Sequence, residues 1–197
     1  EFTGLFTAHK LALGNIHVAG PTRIDGINEE DFRIGVLKKN LLLARILAKA
    51  VSALDTKTLA EAERTWLVPF TSAGTKDSEA VALTEEEKAY LREKGVLRMC
   101  IDPAWMPFEK FDEQGRHVGI AADFIQLFPE RFGLSIQPVP TRSWEQSLEY
   151  ARSRKCDLLS LAMETEQRQH YLDFTTPYLR VPNVIASSVN DPFIENL

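Results

Sequence analysis

The feature that most constrains the fold of this chain is a regular alternation of strand-like and helix-like segments between Val96 and Ser188. The apolar patterns predict strands at 96–101, 134–139, 157–161 and 183–188, a hairpin-like segment at 108–119, and helices at 121–132, 144–154 and 166–171. Strands that alternate with helices favour a parallel sheet covered on both faces. We therefore predict an α/β fold with an open, mainly parallel sheet flanked by helices.

Local signals support several of these helices. Thr84 and Glu87 form a capping-box pattern, in which the Thr hydroxyl accepts from a backbone N–H and the Glu carboxylate reaches back. Ser143 and Gln146 repeat that pattern at the start of the helix 144–154. Pro129 is a misfit in the predicted helix 121–132, because an interior proline removes a hydrogen bond and kinks the chain.

The N-terminal third contains a second strand-to-helix pattern. Residues 31–37 alternate between apolar and polar side chains, which predicts a strand, and residues 41–54 carry apolar side chains at helical spacing. A second helix is predicted to begin at Asp55 or Thr56 and to end before Pro69.

A polar stretch at 71–79, which has no apolar periodicity, predicts a linker. The chain is therefore divided into 1–70, a linker at 71–83, a main unit at 84–188, and a short terminal segment at 189–197.

Composition and charge exclude several classes of function. The net charge is −5 and no Lys/Arg cluster is interleaved with aromatic residues, which argues against nucleic acid and against an anionic membrane surface as partners. The longest apolar run, 41–54, is interrupted by Arg45 and Lys49 and is shorter than the roughly 18 residues of a membrane-spanning helix.

Neither the cysteines nor the histidines indicate a metal or cofactor site. Cys100 and Cys156 form no CxxC pair, and the four histidines are scattered, so we predict no metal and no cofactor. Both cysteines lie in apolar, strand-like segments, which favours two buried thiols over a disulfide.

The candidate binding residues follow predicted strands or begin predicted helices. They are Asp102, Trp105, Trp144, Thr165 and Arg168. In open α/β sheets, ligands bind beyond the carboxyl ends of the strands, where helix N-termini point. We therefore expect these residues to converge there on a small, charged metabolite.

Four of these candidates also have a plain structural explanation. A guanidinium can hold a carboxylate through two hydrogen bonds, but Arg168 could instead form a surface salt bridge with Glu164 or Asp173. Tryptophans can clamp a ligand by stacking or cation–π contact, although core packing is the commoner role for this residue. Asp102 can accept from a ligand ammonium, and it can also initiate an Asp-Pro turn.

The range 96–188 resembles the first lobe of a type II periplasmic solute-binding protein, of the family that binds polar amino acids such as glutamine, histidine and arginine. The matching elements are Leu97-Arg-Met-Cys-Ile-Asp102 with Trp105-x-Pro107-Phe108, Val118-Gly119-x-x-x-Asp123, Trp144, Cys156-Asp157-Leu158, and Glu164-Thr165-x-x-Arg168 through Leu172-Asp-Phe174-Thr-x-Pro177-Tyr178.

The resemblance implies that Trp105 and Trp144 sandwich the ligand side chain and that Arg168 binds the α-carboxylate. Met163 departs from the family pattern, which usually has a Ser or Thr hydroxyl at this position for the ligand carboxylate. The second lobe, which in the family supplies an acidic residue for the ligand ammonium, is absent from this chain.

Within this family, the amino-acid sequence is most similar to the modules fused to membrane-bound sensor histidine kinases and diguanylate cyclases. Such modules often occur in tandem. The segments 32–39, 41–54 and 58–66 resemble the closing strand and helices that end the same fold. We therefore expect a fragment in which the tail of one module precedes the head of the next. In this permuted order, residues 32–67 are predicted to complete the lobe 96–188, either within one chain or in a swapped homodimer.

The resemblance implies a periplasmic, non-enzymatic sensor domain of a membrane-anchored protein, which closes like a clamshell on an amino acid or a carboxylate. The alternatives are the free receptor of an ABC transporter, a structural module that has lost its ligand, and an enzyme of the same fold, such as a dehydratase or a wall-lytic enzyme. Glu164 is the candidate acid or base for the enzyme.

Overall fold

The computed structural model describes residues 16–21, 30–54, 82–181, 184–188 and 190; for residues 16–21, 30 and 184–187 only the backbone is described. The helices are α1 (Leu41–Ser52), α2 (Glu85–Lys94), α3 (Ile120–Phe132), α4 (Trp144–Arg152) and α5 (Glu166–Gln169). The strands are β1 (Ile16–Pro21), β2 (Glu30–Leu37), β3 (Val96–Cys100), β4 (Ala104–Trp105), β5 (Glu109–Phe111), β6 (His117–Val118), β7 (Ser135–Pro138), β8 (Leu158–Met163), β9 (Leu172–Phe174), β10 (Leu179–Val181) and β11 (Val184–Ser188).

The main sheet has six strands in the order β10-β2-β8-β3-β7, with β9 also paired to β2. Strands β7, β3 and β8 are mutually parallel, as the alternation predicts. Strand β2 lies between β8 and the pair β9 and β10, and runs antiparallel to all three. The N-terminal segment therefore supplies an interior strand of the sheet within one chain, as predicted for its described part, while residues 55–67 of the predicted segment 32–67 lie outside the described residues.

Burial explains why β2 takes this interior position. Phe32, Ile34 and Val36 are fully or almost fully buried, and they join the main core cluster together with α1. Each such side chain contributes about 1.5–3 kcal/mol of burial free energy. The buried residues of α1 are Leu43, Ile46, Leu47, Ala50 and Val51.

The predicted helix starts are present. Thr84 accepts from the Glu87 backbone N–H while the Glu87 carboxylate accepts from the Thr84 N–H, so the capping box is complete. Ser143 caps α4 by accepting from the Gln146 N–H. Pro129 lies inside α3, which nevertheless continues to Phe132. The proline is exposed and falls in the last turn, where a missing N–H interrupts little of the helix.

The structure overturns one prediction. Cys100 and Cys156 are joined by a disulfide, with 5.8 Å between their Cα atoms, rather than lying as two separate thiols. Strands β3 and β8 are parallel neighbours, and this pairing brings the end of one beside the start of the other. The sequence does not reveal that register, which is why the pairing was missed.

Two smaller sheets accompany the main one. The predicted hairpin forms as β5 and β6, with β4 added beside β5. Strand β11 coincides with the predicted strand 183–188 and pairs antiparallel with β1, which the sequence patterns did not predict. The predicted helix starting at 55 or 56, most of the linker 71–83, and most of 189–197 lie outside the described residues. None of the described helices has the length and apolar character needed to cross a membrane.

Candidate ligand-binding site

The predicted site residues lie at one edge of the main sheet, which we call the carboxyl edge: the residues that follow β3, β7 and β8, together with the start of β2. Asp102 and Trp105 follow β3, and Trp144 begins the helix after β7. Thr165 and Arg168 follow β8. Because β3, β7 and β8 are parallel, their carboxyl ends share this edge.

Strand β2 contributes its beginning to the same edge, because it runs opposite to β8. Phe32 pairs with Met163 in the β2–β8 ladder. Arg33, which neighbours it in the strand, forms ion pairs with Asp31 at 3.2 Å and with Glu164 at 3.4 Å. Sequence reasoning missed these partners of the site, because Arg33 and Glu164 belong to segments far apart in the chain.

Arg168 is partly buried, with its guanidinium 5.4 Å from the centroid of the Trp144 ring. Its Nη1 donates to the Met163 carbonyl at 2.8 Å, which holds the side chain against the end of β8. Burial lowers the pKa of Arg168, although an arginine remains cationic in proteins. No salt bridge joins Arg168 to an acidic side chain among the described residues.

The structure does not form the alternative salt bridges considered for Arg168. Glu164 instead pairs with Arg33 and accepts a hydrogen bond from Gln169 Nε2 at 2.8 Å. Asp173 lies in β9, paired with Val36 at the far end of β2. A desolvated cation that has no acidic partner in the described fold is suited to an anionic ligand.

The two tryptophans pack against different apolar clusters. The Trp105 ring lies 4.6 Å from Phe108 and 5.1 Å from Phe32 between centroids, beside the core that α1 and α3 cover. Trp144 packs against the cluster around Cys100, Cys156 and Leu159. Both indoles are only partly buried, so each combines core packing with some exposed ring surface.

Asp102 both forms a turn and retains the properties of a binding group. Its Oδ1 accepts from the Ala104 N–H at 3.1 Å, as an Asp-Pro turn requires. Burial raises the pKa of its carboxyl, and the negative charge of nearby Glu145 adds to the increase. No cationic side chain pairs with Asp102 in the described parts of the chain. A ligand ammonium would relieve this acidic pair.

Thr165 has a defined local role. It is the N-cap of α5, and its hydroxyl accepts from the Arg168 N–H at 3.3 Å. This contact fixes the short turn that carries Arg168. Thr165 therefore positions the arginine, whether or not it also touches a ligand.

Other features of the described residues do not compete with this edge. They contain no group of three or more His, Cys, Asp or Glu side chains placed to hold a metal ion. A groove of about 430 Å³ lies between β6, α3 and β7, lined by residues that include His117, Ile125 and Ile136. None of the predicted site residues lines it.

The mixed α/β lobe thus carries, at the carboxyl edge of its parallel strands, a cation and an acid that have no salt-bridge partner among the described residues. Residues 97–194 match the family described as bacterial extracellular solute-binding proteins, family 3. The match confirms the resemblance found in the sequence, and the family is extracellular, in agreement with the predicted periplasmic location.

Individual relatives cover different lengths. The virulence sensor protein BvgS of Bordetella pertussis is 23% identical over 186 residues, covering 93% of this chain and 15% of the relative. The amino-acid-binding protein AabA of Dichelobacter nodosus is 30% identical over 96 residues, covering 48% of this chain and 38% of the relative. The crystal structure of the B. pertussis BvgS periplasmic domain has a TM-score of 0.47 and 23% identity, covering 50% of this chain and 19% of that one. The chain thus spans a small part of these proteins.

Proposed function

We propose that this region is the ligand-sensing lobe of an extracytoplasmic sensor domain, and that it binds a small polar metabolite carrying a carboxylate. The observation that carries the proposal is Arg168, a partly buried guanidinium that lacks an acidic partner among the described residues. Leaving a desolvated charge unpaired is costly, and a ligand carboxylate that accepts two hydrogen bonds would offset that cost.

The remaining edge residues favour a ligand that also carries a positive charge. Asp102 lies at the same edge with a raised pKa and a second carboxylate, Glu145, nearby. A zwitterionic amino acid would place its carboxylate on Arg168 and its ammonium toward Asp102, with exposed ring surface of Trp105 and Trp144 beside the rest. The relative AabA is named an amino-acid-binding protein, which agrees with this chemistry.

The domain organisation is proposed on the same basis. Residues 1–70 would be the closing part of one solute-binding module, 71–83 a linker, 84–188 the first lobe of the next module, and 189–197 the start of its crossover. The family match begins at residue 97, after the proposed linker. The second wall of the binding site would then belong to a lobe outside this sequence, and these 197 residues alone should bind ligand weakly.

The parent protein is proposed to be a membrane-anchored sensor with a kinase or cyclase output. The BvgS relative, a sensor protein by name, aligns with 93% of this chain, across both the proposed module tail and the proposed module head. Closure of two lobes on a ligand converts binding energy into a population shift that an output domain can read.

We propose that the lobe is not itself catalytic. The enzyme alternative needs a poised acid or base, for which Glu164 was the candidate. Glu164 is engaged by Arg33 and Gln169 at the surface of the lobe, and is not held in a desolvated pocket.

The experiment is a thermal-shift screen of the parent protein's complete periplasmic region against L-amino acids and dicarboxylates. We expect at least one compound to raise the melting temperature, and Arg168→Gln to abolish the rise while leaving the ligand-free melting temperature close to the wild type. The absence of any stabilising compound would support the structural-module alternative. Turnover of a stabilising compound that Glu164→Gln removes would support the enzyme.

A further inference from the structure

A fully buried carboxylate lies directly behind the candidate site. Glu109 is 0% exposed, and its two oxygens contact polar groups of three separate segments. Oε1 accepts from the Asp102 backbone N–H at 2.8 Å. Oε2 accepts from the Ser160 hydroxyl at 2.5 Å and lies 3.1 Å from His117 Nε2. Glu109 therefore contacts the loop after β3, strand β8 and strand β6 at the same time.

The three partners belong to different parts of the lobe. Asp102 begins the loop that carries the proposed ammonium contact and Trp105. Ser160 lies in β8, the strand whose end leads to Arg168, and His117 lies in β6 with its side chain 6% exposed. Glu109 thus joins the Asp102 loop to the strand that places the arginine.

The connection continues beyond β8. The Ser160 carbonyl accepts a hydrogen bond from the Tyr178 hydroxyl at 2.8 Å. Burial raises the pKa of Tyr178 well above its usual range, and the charge of Glu109 adds to this effect, so the phenol remains a donor. Tyr178 directly precedes β10, which borders the start of β2.

We propose that Glu109 is a positioning residue for ligand recognition: its reach to the Asp102 amide fixes the loop carrying Asp102 and Trp105 relative to β8 and Arg168. This inference rests on the proposed function. The property of Glu109 that matters is the length of its side chain, and not its charge alone. An aspartate at position 109 would keep the charge but lose one methylene of length, while a glutamine would keep the length and one acceptor oxygen for the Asp102 N–H.

A glutamine at position 109 can also satisfy the other partners. Its amide NH₂ can donate to the Ser160 hydroxyl, which rotates freely, and to the neutral tautomer of His117 that leaves Nε2 unprotonated. Aspartate offers no such compensation for the Asp102 amide. The two conservative variants therefore separate a positioning role from a simple charge balance with His117.

The test is amide hydrogen exchange on the 197-residue chain, comparing Glu109→Gln, Glu109→Asp and Glu109→Ala. We expect exchange at the Asp102 amide to rise at least tenfold in the Asp and Ala variants and to stay within about threefold of wild type in the Gln variant. Asp157→Ala is the matched control, because Asp157 accepts from the Arg98 N–H in the middle of β3, also at 2.8 Å, and alanine removes that acceptor. It should raise exchange at Arg98 and not at Asp102.

Equal exchange at Asp102 in the Asp and Gln variants would overturn the proposal. So would a rise of the same size at Asp102 and Arg98, which would indicate a general loss of stability. If the Ala variant does not fold, the comparison of Asp with Gln still decides. Hydrogen exchange needs no ligand, so its outcome is separate from the thermal-shift screen: loop release without a stabilising compound would support the positioning geometry and contradict the proposed function.

Discussion

The two edges of the main sheet differ in whether their partly buried charges have salt-bridge partners. At the amino edge, formed by the residues around the starts of β3 and β8, Asp157 is almost buried and has cationic partners: Lys94 at 2.8 Å and Arg98 at 3.5 Å. At the carboxyl edge, neither Arg168 nor Asp102 forms a salt bridge with any described residue. The carboxyl edge also contains the ion pairs of Arg33 with Asp31 and Glu164, but the two charges proposed to contact ligand, Arg168 and Asp102, lack the kind of partner that Asp157 has among the described residues.

The pKa values of Asp157 and Asp102 are shifted in opposite directions, which is the same contrast. Burial alone would raise the pKa of Asp157, but hydrogen bonds from Lys94 and from the Arg98 backbone and side chain outweigh it and lower the pKa. Burial raises the pKa of Asp102, and its single backbone hydrogen bond does not compensate. Similar carboxylates beside the same strand thus have pKa values shifted in opposite directions, which agrees with a stabilising role for Asp157 and with the binding role proposed for Asp102.

The largest expected effect comes from removing the apolar support of the carboxyl edge. Phe32→Ala should lower the free energy of unfolding by about 3–5 kcal/mol, because the ring is fully buried beneath Trp105 and Phe108. Urea denaturation measures this loss, and the Trp fluorescence of the native state should change as well. A loss under 1 kcal/mol would show that β2 does not complete the core.

Removal of the disulfide should have the next largest effect. The disulfide joins Cys100, at the end of β3, to Cys156, just before β8, and closes a loop with a sequence separation of 56. The double variant Cys100→Ala, Cys156→Ala should lower the free energy of unfolding by about 2–4 kcal/mol. Thiol titration of the unfolded wild-type chain offers a direct check: free thiols in protein purified without reductant would contradict the pairing.

The amino edge should respond to charge removal in stability and in its pH dependence. Asp157→Asn should cost about 1–3 kcal/mol at neutral pH, because a nearly buried acceptor of charged donors is weakened. Since folding lowers the pKa of Asp157, its stabilisation is present at neutral pH and is lost as the pH falls from about 4 through the folded-state pKa.

Urea midpoints between pH 2 and 7 test this pH dependence. The wild type should lose stability with acid more steeply than Asp157→Asn over that range. Parallel curves for the two proteins would mean that Asp157 has the same pKa in the folded and unfolded chain.

The smallest expected effect is the contact between Arg168 and Trp144. A double-mutant cycle of Arg168→Gln and Trp144→Leu should give a coupling energy of about 0.5–1 kcal/mol, the usual range for a partly exposed cation–π pair. A coupling energy near zero would show that the ring and the guanidinium contribute independently to stability. Trp144 would then be available to contact the ligand without holding Arg168.

Local signals made much of this fold predictable. The cap of α2 depends on Thr84 and Glu87, three residues apart, so its geometry could be read from the sequence. The placement of Arg168 after a buried strand was equally local. The disulfide depends on the register of β3 against β8, and the ion pair of Arg33 with Glu164 depends on β2 joining β8 from a distant segment. Pairings of that kind are set by tertiary structure.

Glu109 shows the same limit within the candidate site. It follows Phe108 in the sequence without any motif that marks it as buried or as a partner of the Asp102 amide. Only the folded hairpin brings it beneath the loop after β3. Residues that touch a ligand could be proposed from strand ends, whereas the residue that supports them could not.

We propose that Arg168, which has no acidic partner among the described residues, binds ligand, whereas Arg98, which pairs with Asp157, stabilises the fold. The direct measurement compares Arg168→Gln with Arg98→Gln in the complete periplasmic region of the parent protein, by thermal shift with and without a compound that stabilises the wild type. We predict that Arg168→Gln abolishes the ligand-induced shift with little change in the ligand-free melting temperature, and that Arg98→Gln retains the shift from a slightly lower starting temperature. A wild-type shift in Arg168→Gln would contradict the account.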